Sequence, residues 1–472
     1  MEESAGYINA LLKAENAPFR CSVSSTKGRT LHLTRSTAMR EILFRGTFLH
    51  IVHEDFKSSL YMKLDRLYQL DAGARLDYAA MWYWCGLNSL TKRIASGLTT
   101  ITEEQSKQLR MLYHSEVIAP SYTMRRVAEA VQPFVDRVLT DEDLIEIETM
   151  TVIWTLNCFE HTESPLSYAT FFLPSFMSHS CSPSAVWTTV ADRFEIRCQK
   201  EMRAGDELTV TYLTEEFGLR PIEKRRQYLL STKFFTCDCV RCTAASDDTR
   251  GFRVSNTHFV RFPMWDLCAC GCDTVLNLSG KQIENLLDCE HRLTTLVVQY
   301  DGGEEESVPS RTDPSLIGTC ECADELGELA EALGPFHWGS ARAWLQLAEW
   351  YRSKGDFPHA IDLTRKRIHA KRNFVKLCDP SVSASLAWAL EELGDLLLMH
   401  VSGSVMVETS HRQHFCDAWV PRSPEDIETV LSVGLIEAYS ESFEILAGVF
   451  GKEHEHTVPL ARKLDRFSLL ST

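Results

Sequence analysis

The chain has no apolar run near the eighteen or so residues that a membrane-crossing helix needs. Its first twenty residues, MEESAGYINALLKAENAPFR, lack the basic start and continuous apolar stretch of a secretory leader. These two absences predict a protein that is neither inserted in a membrane nor exported. Positive charge is also scarce: 49 lysines and arginines stand against 65 aspartates and glutamates, for a net charge of -16. That balance repels phosphate backbones and argues against direct nucleic-acid binding. The densest basic run, TRKRIHAKR up to Arg372, has no interleaved aromatics and reads as a solvated helix face. Cysteine, by contrast, is plentiful, with sixteen in the chain. Without a leader they predict a reducing compartment, cytoplasm or nucleus, where clustered thiols hold metals rather than form disulfides. Cys21, Cys85, Cys158, Cys198, Cys289, Cys378 and Cys416 lie outside tight clusters and read as small buried hydrophobes.

At 472 residues the chain is too long for one core, so two or three domains are expected. Residues 18–53 read as short strands, with Lys27-Gly28-Arg29 as a turn between FRCSVSS and TLHLT. From about 54 to 148 the apolar spacing becomes helical. Thr140-Asp141-Glu142-Asp143 supplies helix-starting chemistry there. Strand character returns at 185–198 and 207–213, so a helical block interrupts a β-rich domain. Beyond Cys242 lies a second cysteine group, Cys268, Cys270 and Cys272 with Cys320 and Cys322, split by the acidic loop DGGEEESVPSRTDPS. From Asp324 onward the chain reads as helical. Trp344, Leu347, Ala348, Tyr351 and Ala360 fit a tetratricopeptide-type helix pair, half repeated from Leu390, 46 positions later. A plain amphipathic bundle fits the same pattern.

Three motifs follow one another closely between Phe172 and Cys242. LPSFMSHSC contains Ser178, His179 and Cys181. GDELTVTY is a turn and a strand ending on Tyr212. CDCVRC places Cys237, Cys239 and Cys242 within six residues, and soft thiolates at that spacing suit a tetrahedral zinc ion that needs a fourth ligand. Taken singly, Tyr212 reads as a strand-end core residue. In this order the motifs resemble the SET-domain lysine methyltransferases, especially the SET and MYND domain family.

The resemblance implies an α+β fold with a split SET domain (1–53 and 151–232) and a helical insertion (54–150). A cysteine-rich region (233–323) and a tetratricopeptide-like all-α domain (324–472) would follow. It implies S-adenosylmethionine and zinc as cofactors and a protein bearing an accessible lysine, histone or not, as substrate. A protein partner on the helical tail is a further expectation. By the same resemblance Cys181 completes the zinc site and Tyr212 is catalytic, while Lys27, Gly28, Arg29, Asn157, Ser178, His179, Tyr212 and Phe235 contact the cofactor. Asn157 reads equally as a buried helix polar residue, and Phe235 has a core reading.

Two departures stand out. Ser178 takes the place of an asparagine that in the family holds the cofactor's amino-acid end. Loss of one such contact costs about 1 to 3 kcal/mol, roughly 5- to 150-fold in affinity. An inactive SET-fold scaffold that binds partners through its tail is therefore the competing reading. The other departure is the MYND finger: 54–150 contains only Cys85, so its paired ligand spacings are missing. Cys268, Cys270, Cys272, Cys289, Cys320 and Cys322 offer more donors than a second zinc requires, and the sequence does not choose among them.

Overall fold

The structure is a computed structural model describing residues 2–69, 76–163, 166–190, 193–270, 272, 274–300, 317–377, 383–402 and 434–470. Cys378, Cys416 and the acidic segment 301–315 lie outside the described residues. Helix α1 (Glu2–Ala14) buries Ile8 and Leu12 against a hairpin of β1 (Phe19–Ser24) and β2 (Gly28–Leu33). Its turn ends on Gly28 at φ +73°, a left-handed conformation that only glycine adopts without strain. Strand β3 (Ile42–Thr47) leads into β4 (His50–His53).

The insertion follows as α2 (Ser59–Tyr68), α3 (Ala80–Leu87), α4 (Glu103–Met111), α5 (Tyr122–Val131) and α6 (Asp141–Asn157). Thr140 and Asp143 close a capping box at the start of α6, which satisfies two otherwise orphaned backbone donors. The aromatic segment of α3 is buried, with Tyr83, Trp84 and Cys85 at 4% exposure or less. It lies so close to α6 that a Cβ on Gly86 would sit 2.3 Å from Thr151 Oγ1.

After α6 the chain returns to the sheets. Strand β5 (Cys158–Glu163) pairs with β6 (Leu166–Thr170), which pairs with β4, all antiparallel. Strand β7 (Ser178–His179) is followed by β8 (Ala185–Val190) and β9 (Arg193–Cys198), and β9 lies between β3 and β8. The sheets enclose an aromatic core in which Phe171 and Phe194 are 4.3 Å apart and Trp187 stacks on Phe194. Strand β10 (Thr209–Val210) runs parallel to β7.

Two short helices, α7 (Glu215–Gly218) and α8 (Ile222–Lys233), precede a small hairpin of β11 (Gly251–Arg253) and β12 (Phe259–Arg261). The tail then runs through α9 (Gly280–Tyr300), α10 (Cys320–Leu333), α11 (Trp338–Ser353), α12 (Phe357–Leu377), α13 (Ser383–Ser402), α14 (Leu435–Val449) and α15 (Val458–Leu470). Trp344 and Leu347 of α11 and Ala360 of α12 are buried. Among the described residues no helix is long and apolar enough to cross a membrane.

The tail is fixed to the sheet domain through α7. Glu216 sits 3.1 Å from the buried Lys371 ammonium and 3.9 Å from Arg367, both on α12. Burial alone would raise the Glu216 pKa, but Lys371, Arg342 and Arg367 hold it well below the carboxylate range.

Candidate active site and metal centre

The site forms where two short segments cross. Ser178 and His179 of β7 lie beside Thr209 and Val210 of β10. Ser180 N donates to Val210 O at 2.9 Å and Ser184 N to Thr209 O at 3.1 Å. This ladder brings Tyr212, 33 residues further along the chain, against His179: the Tyr212 N–H donates to His179 Nδ1 at 2.9 Å. Since Nδ1 accepts, the imidazole proton resides on Nε2, which lies 3.3 Å from Cys181 Sγ and donates to it. His179 is thus a strut between the thiol cluster and the tyrosine backbone. Burial pushes its pKa down to about 4, in keeping with a neutral ring.

The Tyr212 hydroxyl donates to Met177 O at 2.5 Å. Burial, aided by the nearby Glu207 charge, raises its pKa above the usual 10, so the phenol stays protonated at neutral pH. The residue as a whole is nevertheless 37% exposed, so part of it is open to solvent. His179, Tyr212 and Phe235 form a triangle of rings, with centroids 5.3 Å apart for His179–Tyr212, 5.8 Å for His179–Phe235 and 6.3 Å for Tyr212–Phe235.

Cys181 does join the C-x-C-x2-C clip. Its sulfur is 3.6 Å from Cys242 Sγ and 4.0 Å from Cys237 Sγ, and with Cys239 all four lie within 4.8 Å of one another. A tetrahedral shell with Zn–S bonds of about 2.3 Å spaces its sulfurs about 3.8 Å apart, so the donor set fits zinc. Four thiolates around a zinc ion carry a net charge of about −2, and the surroundings supply the counter-charge. Arg225, with a fully buried side chain, reaches Cys242 Sγ at 3.8 Å. Arg241, inside the CDCVRC motif, donates to Cys181 O at 2.8 Å and pairs with Asp248 at 2.7 Å. Groups around the ligands in this way orient them and tune the metal.

The remaining residues expected at the site fall into two groups. Lys27 pairs with Glu207 Oε2 at 2.8 Å and is among the charges that lower the His179 pKa. The hairpin reaches that position because β2 is tied to the 205–208 segment through Leu33 N to Asp206 O and Leu208 N to Leu31 O. Phe235 and the half-buried Ser178 also sit at the crossing. Arg29 instead lies over the Phe176 ring at 4.8 Å, with Nη1 donating to Ser4 Oγ at 3.4 Å. Asn157 donates from Nδ2 to Ile153 O and Tyr113 O, each at 2.8 Å, so its amide hydrogens are engaged within the protein. Its neighbour Leu156 accepts at its carbonyl from Lys233 Nζ at 3.3 Å, two residues ahead of Phe235.

Sequence reasoning missed Glu207, Arg225 and Arg241. Glu207 Oε1 is buried with no hydrogen-bond partner, an expensive condition for a carboxylate oxygen. The glutamate stands inside GDELTVTY, so the signal was present but unread. Arg241 likewise lies between Val240 and Cys242 of the clip. Arg225 had no signal, because nothing in α8 distinguishes it from the neighbouring Arg226.

Residues 38–213, which contain the crossing of β7 and β10 and Tyr212, match the family model of the SET domain. More particularly, the relatives that the chain matches include N-lysine methyltransferases of the SMYD2 type. It is 26% identical over 263 residues to N-lysine methyltransferase SMYD2-A of Xenopus laevis, covering 48% of this chain and 60% of that protein. Over 91 residues it is 34% identical to N-lysine methyltransferase SMYD2 of Gallus gallus, covering 19% of this chain and 20% of that one. It is also 31% identical over 104 residues to histone-lysine N-methyltransferase ATXR4 of Arabidopsis thaliana, covering 21% and 28%. The chain therefore spans less than two thirds of the length of these relatives.

Proposed function

We propose that the protein transfers a methyl group from S-adenosylmethionine to a lysine side chain of another protein. The observation that carries this reading is the placement of Tyr212. Its hydroxyl is anchored to Met177 O, its backbone to His179, and through His179 to the thiol cluster.

The residues present fit the cofactor. Lys27 offers a cation for a carboxylate, and the unpartnered Glu207 Oε1 offers an acceptor for an ammonium. Phe235, half-buried beside His179 and Tyr212, would pack against a purine. When bound, the cofactor supplies a methyl already activated on a sulfonium sulfur. The demand left to the protein is a neutral acceptor amine in line with that methyl. From a reference lysine pKa near 10.4, deprotonation at pH 7 costs about 4 to 5 kcal/mol. The ring-lined site lowers that cost by disfavouring the ammonium form, and the amine gives its proton to bulk water. Tyr212 is no base, because its phenol remains protonated. With its own proton committed to Met177 O, its lone pairs accept an N–H from the amine and aim the nitrogen. Cys181, Cys237, Cys239 and Cys242 would hold zinc, which closes the chain beyond Tyr212 over the site.

The helical tail is read as tetratricopeptide-like, supported by the buried Trp344, Leu347 and Ala360 of the α11–α12 pair and the turn at Gly355. It would present a surface to a protein partner. A cytoplasmic or nuclear location, where the thiols stay reduced, goes with this reading.

Radiolabelled methyl transfer to fractionated cell protein, with Tyr212→Phe as control, tests the proposal. Removing one positioned hydroxyl should lower kcat about 100- to 1000-fold and leave zinc content unchanged. Full activity in Tyr212→Phe would remove the tyrosine from the mechanism. Ser178 favours a second reading, a SET-fold scaffold without turnover. Calorimetry separates the two, since absence of S-adenosylmethionine binding at millimolar concentration supports the scaffold.

A further inference from the structure

The second cysteine group divides in the structure. Cys289 points at Leu329 O, 3.8 Å away, on the α9–α10 contact. Cys322 is bound into the start of α10 beside Thr319, and Cys320 faces Lys354. None of these joins the other three. Cys268, Cys270 and Cys272 stay together, with sulfurs 2.9 and 2.8 Å apart along the series. A residue with no place in the sequence reading joins two of them: His258, Cys268 and Cys272 present ligand atoms within 4.8 Å of one another, while Cys270 Sγ touches both sulfurs from just outside that set.

The backbone explains the meeting. The stretches 266–268 and 274–276 pair with each other through the Leu267–Val275 bridge, Cys268 N to Thr274 O at 3.0 Å and Leu276 N to Asp266 O at 2.8 Å. The three thiols therefore sit at the tip of a tight loop. Ala269 N donates to Phe259 O at 2.8 Å, which fixes that tip beside the turn of the β11–β12 hairpin, where His258 lies. On His258, Nδ1 is occupied by the Ser255 and Thr257 hydroxyls at 3.1 and 3.0 Å. That leaves Nε2 for a metal, with Nδ1 held from behind as metal-bound histidines commonly are.

We propose that His258, Cys268, Cys270 and Cys272 hold a second zinc ion. Three thiolates and one imidazole form a closed structural set for zinc. The Cys268–Cys270 and Cys270–Cys272 sulfurs are closer than the about 3.8 Å of a tetrahedral shell, so the loop opens by about an ångström on loading. The ion joins the loop tip to a hairpin that is itself docked on the tail: Gly251 N donates to Phe336 O at 3.0 Å, and Phe259 stacks on Phe336 at 3.7 Å. The site is thus a staple between the cysteine-rich region and the α10–α11 junction. It does not depend on the methyl-transfer reading.

Elemental analysis of the full chain should give two zinc ions per molecule, and Cys268→Ser/Cys272→Ser should retain one. X-ray absorption at the zinc edge of the unmodified protein provides a check that needs no variant. The Cys181 site contains sulfur only, so any nitrogen in the zinc shell belongs to His258 and should vanish in His258→Ala. A zinc shell of sulfur alone, or two zinc ions both kept by the double variant, would overturn the assignment. A single zinc with nitrogen in its shell would support this site and count against the Cys181 cluster instead.

Discussion

Replacing Glu207 with glutamine separates ligand recognition from folding. One carboxylate oxygen takes the Lys27 ammonium at 2.8 Å, and the other is buried with no partner. The Lys27–Glu207 pair is partly exposed, at 35% and 24% for the two side chains, and such pairs contribute about 0 to 1 kcal/mol. Glutamine keeps the size of the side chain but provides one acceptor and one donor. If the acceptor serves Lys27, the NH2 group meets the ligand's ammonium; if it serves the ligand, Lys27 faces a donor. Either way one charge-assisted hydrogen bond is lost, worth about 1.5 to 3 kcal/mol. That converts to about a 10- to 150-fold rise in the Kd for S-adenosylmethionine. Titration calorimetry reads the affinity, and thermal unfolding of the free protein should move by only a few degrees. An unchanged Kd would refute the role of Glu207. A collapse in stability with affinity preserved would make the residue structural.

Other perturbations report on the supports around the site. Arg241→Met removes the donor to Cys181 O and should weaken zinc binding about 10- to 100-fold, measured by competition with a chromophoric chelator. Gly86→Ala places a methyl 2.3 Å from Thr151 Oγ1 and 2.9 Å from Ile147 O. It should destabilise the α3–α6 contact by about 1 to 3 kcal/mol, readable by denaturant unfolding. Acid stability should depend on Glu290. Burial raises its pKa, but hydrogen bonds from His337 and Arg250 bring it down to about 2 from the ordinary 4.5. A depressed carboxylate pKa stabilises the fold fully above pH 4.5, and the contribution, about 3 kcal/mol, is lost as pH falls towards 2. Stability measured across that window should be flatter in Glu290→Gln.

The sequence made the centre of the site legible because SHSC, GDELTVTY and CDCVRC are each contiguous. Their residue types carry the chemistry without reference to the fold. What joins them was not legible in the same way. The Tyr212–His179–Cys181 line depends on two-residue strands, β7 and β10, too short to produce an alternating pattern. Arg225 is fully buried on α8 between Ile222 and Leu229 at helical spacing, but Arg226 shares that face, so the sequence does not mark which arginine turns inward. His258 lies ten positions before Cys268, and the bond from Ala269 N to Phe259 O brings them together. Conversely, Asn157 matched a motif, yet its amide hydrogens cap carbonyls of α6 and of Tyr113. The helical tail was readable from periodicity, while its attachment through Glu216 was not, since one glutamate among many carries no mark.

That attachment has a mechanical consequence. Glu216 is four positions past Tyr212, and α12 grips it with Lys371 and Arg367. A change in the far helices, or deletion of the α12 cations, would therefore act on the chain only four residues beyond the phenol, where Thr214 caps the start of α7. Exchanging the C-terminal half for a foreign module would release Glu216 from Lys371 and Arg367 while leaving every residue of the β7–β10 crossing in place.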